Sequence, residues 1–65
     1  MDNRKITKNA IRCKHCFDVI ESKRTHDFAT CKCGICSVDG GHEYVRVTFA
    51  TTPENDFEYL TEYED

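Results

Sequence analysis

Sixty-five residues, a formal charge of −3, 38% hydrophobic residues and no Trp allow one small domain and exclude a multidomain enzyme. A core this small does not comfortably offset backbone entropy, so a covalent or metal staple is expected. Charge is uneven: residues 1–32 hold eight basic and four acidic residues, whereas residues 33–65 hold one basic residue, Arg46, and eight acidic ones. Such a bipolar chain can offer a basic face to one partner and an acidic face to another.

In chain order, residues 1–11 are polar with little periodicity and are expected to form a flexible or loosely docked arm, ahead of a single domain over 12–65. Cys13-Lys14-His15-Cys16 follows at once. Val19 and Ile20 make residues 17–22 β-prone, Ser22-Lys23-Arg24 reads as a turn, and residues 26–30 offer a second short strand leading into Cys31. This predicts a hairpin that sets the two cysteine groups side by side. Ser37-Val38 opens another extended stretch. Asp39-Gly40-Gly41 supplies turn chemistry, because glycine reaches φ > 0 without a Cβ clash; with His42 it is a tight turn rather than a phosphate loop, since the Gly-Lys-Ser/Thr pattern is missing. Residues 44–49, Tyr-Val-Arg-Val-Thr-Phe, alternate at the strand period. Thr52-Pro53-Glu54 carries helix-start signals, yet Phe57, Tyr59, Thr61 and Tyr63 alternate with Glu58, Leu60 and Glu62. The segment therefore reads as a strand pairing back on residues 44–49.

The five cysteines, Cys13, Cys16, Cys31, Cys33 and Cys36, fall in two tight groups. An odd number suits a closed disulfide framework poorly. No apolar run of a secretion signal opens the chain, and nothing approaches the roughly 20 apolar residues of a membrane span, so a reducing cytoplasmic setting is expected, where clustered cysteines bind metal. Zn²⁺ takes four tetrahedral ligands, and two cysteines one to four residues apart reach it from one turn. Cys13-x2-Cys16 is the first half. Cys33 with Cys36 gives C-x2-C-x16-C-x2-C; Cys31 with Cys33 gives C-x2-C-x14-C-x-C, followed by Gly34, which allows a sharp turn with N–H groups aimed at sulfur. On spacing the two are close, and His15, His26 or His42 is a further candidate to replace one thiolate. With cysteines to spare, a closed structural site is expected rather than one with a position open for water. A His-x-Glu with a later Pro-Cys-x-x-Cys is missing, and a thioredoxin-like redox pair would need a βαβ fold too large for this chain. No enzyme activity and no small-molecule substrate are expected.

The run Cys13-x2-Cys16, Val19-Ile20-Glu21-Ser22, His26-Asp27-Phe28, Cys31-Lys32-Cys33-Gly34, Val38-Asp39-Gly40-Gly41 and Tyr44 resembles small uncharacterised proteins of phages, prophages and low-GC Gram-positive bacteria. The resemblance covers roughly Ile11 to Arg46. It implies a cytoplasmic phage-type accessory protein and carries no activity. In that group the second knuckle is the Cys-x-Cys-Gly unit and the place of Cys36 is usually another residue, which implies Cys13, Cys16, Cys31 and Cys33 as ligands of one structural Zn²⁺. This chain departs from the pattern at Phe17, where a glycine often follows the first knuckle.

The expected fold is small, mainly β and zinc-ribbon-like, with metal supplying folding free energy. The expected function is non-enzymatic binding that modulates or inhibits a host or phage protein. Phe57, Tyr59 and Tyr63, amid Glu58 and Glu62, are the candidate contact residues, because aromatic residues ringed by charge are typical interface anchors. The alternatives are nucleic-acid binding through Arg4, Lys5, Lys8, Arg12, Lys14, Lys23, Arg24 and Lys32, and nucleic-acid mimicry by the acidic end from Glu54 to Asp65.

Overall fold

A computed structural model describes residues 5–64. They form a small, mainly β domain of short antiparallel strands: β1 (Lys5–Lys8), β2 (Ala10–Cys13), β3 (Val19–Glu21), β4 (Ala29–Thr30), β5 (Ser37–Asp39), β6 (Arg46–Thr48), one helical turn α1 (Pro53–Asp56), β7 (Phe57–Tyr59) and β8 (Glu62–Glu64). The strands assemble as a β1–β8 pair and two three-stranded sheets, β3-β2-β7 and β4-β5-β6. None of the described helices is long and apolar enough to cross a membrane.

Each cysteine group is the tip of its own hairpin. β2 and β3 pair across the first group, with Ile11 opposite Ile20 and Arg12 opposite Val19. β4 and β5 pair across the second, with Ala29 opposite Val38 and Thr30 opposite Ser37. This corrects the expected β3–β4 hairpin: those strands lie in different sheets. The reason lies in the alternation of Ala-Ile-Arg-Cys at 10–13, which turns Ile11 and Cys13 inward and Arg12 outward and gives β3 an apolar partner face.

Residues 5–11, expected as a flexible or loosely docked arm, are corrected as well. They form β1 and the first half of β2, and Asn9, Ala10 and Ile11 are fully buried. The segment looks unstructured in sequence because part of its anchoring is polar. Asn9 Nδ2 donates toward the carbonyls of Asp39, Gly41 and Tyr44 at 3.2, 2.8 and 3.0 Å, which ties the segment to the turn after β5. Residues 1–4 of the expected arm lie outside the described residues.

The turn itself needs both its glycines. Gly40 and Gly41 have φ of 106° and 55°, and a Cβ at Gly41 would lie 2.2 Å from the carbonyl carbon of Arg24. β6 then returns along β5, with Asp39 opposite Arg46 and Arg46 Nε donating to Asp39 Oδ1 at 2.9 Å.

At the C-terminal end both sequence signals are honoured in succession. Thr52 Oγ1 accepts the N–H of Asn55 at 3.2 Å and Pro53 opens the helical turn, after which the chain extends into β7. The expected pairing with residues 44–49 is corrected. β7 pairs with β2, setting Cys13 opposite Phe57, Arg12 opposite Glu58 and Ile11 opposite Tyr59. β8 pairs with β1, setting Lys8 opposite Glu62 and Lys5 opposite Glu64. Opposite charges across paired strands favour this register, so the bipolar charge of the sequence is partly satisfied within the fold.

The core comprises Ile11, Cys13, Ile20, Cys31, Cys36, Val38 and Phe57. Three of these are thiols, so the cysteine cluster and the hydrophobic core are one body.

Candidate metal centre

The two hairpin tips converge. The Sγ atoms of Cys13, Cys16, Cys31 and Cys33 all lie within 4.8 Å of one another, with Cys13 to Cys33 at 3.6 Å and Cys31 to Cys33 at 3.4 Å. A metal held tetrahedrally with metal–sulfur bonds of about 2.3 Å requires sulfur–sulfur edges of about 3.8 Å. The four thiols are therefore arranged to hold a metal ion.

Local backbone geometry aims them. In the first tip the N–H of Phe17 donates to the Cys13 carbonyl at 2.9 Å, and the N–H of His15 points at Cys13 Sγ at 3.4 Å. In the second the N–H of Gly34 donates to the Cys31 carbonyl at 3.0 Å, and the N–H of Cys36 points at Cys31 Sγ at 3.4 Å. The residue after each tip's second clustered cysteine has positive φ: 62° at Phe17 and 80° at Gly34. Asp18 Oδ2 accepts the N–H of Lys32 at 3.1 Å and links the two tips.

The amides of Cys33 and Asp18 lower the pKa of Cys16. Burial would raise Cys31, but the amide of Cys36 and the thiols of Cys33, Cys13 and Cys16 draw it down to about 6. The amide of Ile35 favours the Cys33 thiolate, yet burial and the three neighbouring cysteines push it up to about 12. Cys31 and Cys33 are thus driven in opposite directions, because a thiolate at one raises the cost of a thiolate at the other.

Cys36 stands outside the cluster. Its side chain is fully buried and its Sγ donates to the Asp56 carbonyl at 3.4 Å, while burial first and then Cys13 push it up to about 12. Its contribution to the site is its N–H. No histidine among the described residues joins the cluster; His15 Nε2 instead lies 2.8 Å from Asp56 Oδ1.

Asp56 is the supporting residue of the cluster that sequence reasoning missed. It is 1% exposed. One carboxylate oxygen accepts the N–H groups of Ala50 and Thr51, and the other accepts Thr51 Oγ1 and faces His15. These bonds, the Thr51 amide foremost and His15 next, hold its carboxyl well below the usual range. Its own carbonyl accepts the N–H of Lys14 at 2.8 Å and the Cys36 thiol. Through Asp56 the end of α1 clamps the first tip from behind.

The candidate contact residues of the C-terminal end are dispersed. Phe57 is corrected to a core residue, 2% exposed, flanked by Phe49 and Tyr59 at ring-centroid distances of 5.6 and 5.1 Å. Tyr59 and Tyr63 are exposed. Glu58 is ion-paired with Arg12, and Glu62 lies 3.9 Å from Lys8.

These features define a class: a small β domain of two cysteine-tipped hairpins closed around a four-thiol cluster. Residues 5–49 match the family described as "Domain of unknown function (DUF7695)", and the chain belongs to that family. The matched stretch contains both tips and all four clustered thiols, and it stops before α1, β7 and β8. No curated protein matches the chain, and no solved structure matches it.

Proposed function

We propose that the chain is a zinc-stabilised, zinc-ribbon-like, non-catalytic binding module whose target is a protein. The observation that carries the reading is the closed donor set: the chain itself supplies four thiols to one point, two of them buried. Zn²⁺ is the ion of first choice for a tetrahedral tetrathiolate. Cys13, Cys16, Cys31 and Cys33 would hold it, and it would supply folding free energy to a core that is nearly half thiol. A closed site leaves no position for water or substrate, which favours a scaffold over a reaction centre.

The pairing of the charges favours a protein as the target. Glu58 and Glu62 face Arg12 and Lys8, which weighs against an acidic end offered as a nucleic-acid mimic. The same pairs occupy two of the basic residues that would contact phosphates, and Asp39 occupies Arg46. Phe17, Tyr59 and Tyr63 present exposed rings on a scaffold of a size suited to an accessory or inhibitory protein of phage type acting on a host or phage protein in the cytoplasm.

Native mass spectrometry of the untagged protein, with a gentle affinity capture alongside, tests both halves. One zinc per chain with a stoichiometric protein partner is expected. A chain folded without metal overturns the zinc reading, and nucleic acid released by raised salt in place of a protein overturns the target.

A further inference from the structure

Among the described residues Phe17 alone has positive φ without being glycine. In an L-residue that conformation presses Cβ against the following carbonyl oxygen, and for a bulky side chain it is a genuine outlier. Gly34 performs the same backbone task in the other tip with no Cβ. The fold therefore needs the backbone at position 17 but draws nothing from its side chain. The Phe17 ring is 70% exposed and lies outside the core. Strain held at one exposed residue points outward, to recognition.

The seat beneath the ring is rigid. Phe17 N–H is bonded to the Cys13 carbonyl, Lys14 N–H is bonded to Asp56, and His15 is held by the Asp56 carboxylate. An aromatic residue whose backbone is already held loses little backbone entropy on binding, which suits an interface anchor. Val19, two residues on, is 52% exposed as well. Lys14 and Lys32 lie exposed in the two tips; the Lys14 ammonium donates to the Glu54 carbonyl, and the Asp18 carboxylate accepts the Lys32 N–H at 3.1 Å. The two tips together thus carry two ammonium groups against one carboxylate, a net basic setting for the apolar ring.

We propose that Phe17 is the anchor by which this domain docks: its ring enters an apolar pocket of a partner protein whose rim carries carboxylates facing Lys14 and Lys32. This rests on the protein-target reading above. The test uses the full zinc-loaded chain in its own cells, with the photocrosslinker p-benzoylphenylalanine placed at position 17 and, in separate chains, at 59 and 63. One protein is expected to crosslink from position 17. A Phe17→Gly chain, with zinc content and denaturation midpoint at least equal to the parent, is expected to retain on the order of tenfold less of that same protein, and Phe17→Trp to retain most of it. Crosslinks from 59 or 63 with none from 17, or undiminished retention by Phe17→Gly, overturn the anchor and leave the protein target standing. Crosslinks to no protein from any position, or to nucleic acid from position 17, overturn both.

Discussion

Phe17 and Gly34 hold equivalent places in the two hairpin tips. Each follows the second clustered cysteine of its tip, each donates its N–H to the carbonyl of the first, and each has positive φ. One conformation is served by the residue type that adopts it freely and by one that resists it. Exchange at the two sites is therefore expected to shift stability in opposite directions. Phe17→Gly raises the unfolding free energy of the zinc-loaded protein by up to about 1 kcal/mol, the αL penalty less the entropy that glycine adds to the unfolded chain. Gly34→Ala lowers it by about 1 kcal/mol, through the backbone alone, because nothing lies within 4 Å of a Cβ built there. Urea denaturation of the two variants checks both signs.

The fifth thiol separates ligand from core. Replacing Cys13, Cys16, Cys31 or Cys33 by Ser removes a donor, and each such chain is expected to lose metal and unfold together, since small metallo-domains couple the two. Cys36→Ala keeps the amide that points at Cys31 and deletes only a buried thiol. It is expected to keep one metal per chain and lose about 1 kcal/mol of stability from the small cavity. Metal content by mass spectrometry, with circular dichroism before and after a chelator, distinguishes the cases. A Cys31→Ser chain with full zinc and full stability would refute the ligand set.

What the sequence discloses and what it hides divide by range. The two tips, the Gly40-Gly41 turn, the β6 core of the 44–49 run and the Thr52-Pro53 helix start are written in residues a few positions apart, and each appears where the local pattern puts it. Strand partners are not local. The alternation of residues 57–63 correctly signals strand, but nothing in it states that β2 rather than β6 is opposite, because Arg12 and Cys13 lie more than forty residues upstream. Asn9 is hidden for a related reason: a buried amide that binds three carbonyls leaves no hydrophobic period to read. The thiol cluster was legible because cysteine spacing within each tip is local. The Cys31–Cys33 pairing could not be separated on spacing from Cys33–Cys36; the geometry separates them by turning Cys36 into the core.

Asp56 shows how distant support reaches the site. Its carboxylate holds residues 50–51 and His15, and its carbonyl holds Lys14 and Cys36. Asp56→Asn keeps one oxygen for the N–H groups of Ala50 and Thr51 but turns the other into an N–H₂ that Thr51 Oγ1 and His15 must then accept, so the carboxylate charge that strengthens all of these bonds is lost. The variant is expected to have a lower urea midpoint. It is also expected to bind Zn²⁺ about tenfold more weakly in competition with a chelator, the scale on which outer-shell support acts on a metal site. An unchanged zinc affinity alongside a lowered midpoint would confine Asp56 to general folding.

Asp39 gives the pH dependence a sign that can be worked out. The Arg46 hydrogen bond, opposed by burial and helped by the charges of Arg46 and His26, lowers its pKa from the ordinary value. A carboxyl whose folded-state pKa is depressed binds its proton less readily folded than unfolded, so it adds stability above the ordinary carboxylate range, about 3.9. That contribution is lost as the pH falls through the lower, folded value. The thiolates also take up protons on acidification and release metal, so a single chain followed alone would mix the two effects. The comparison of parent with Asp39→Asn removes the shared part. Above about pH 5 the parent is expected to be more stable by a constant margin, and toward pH 3 the margin is expected to narrow as its carboxyl protonates. Urea midpoints of both chains across that span measure it; a margin that widens on acidification would mean the Asp39–Arg46 pair opposes the fold rather than supporting it.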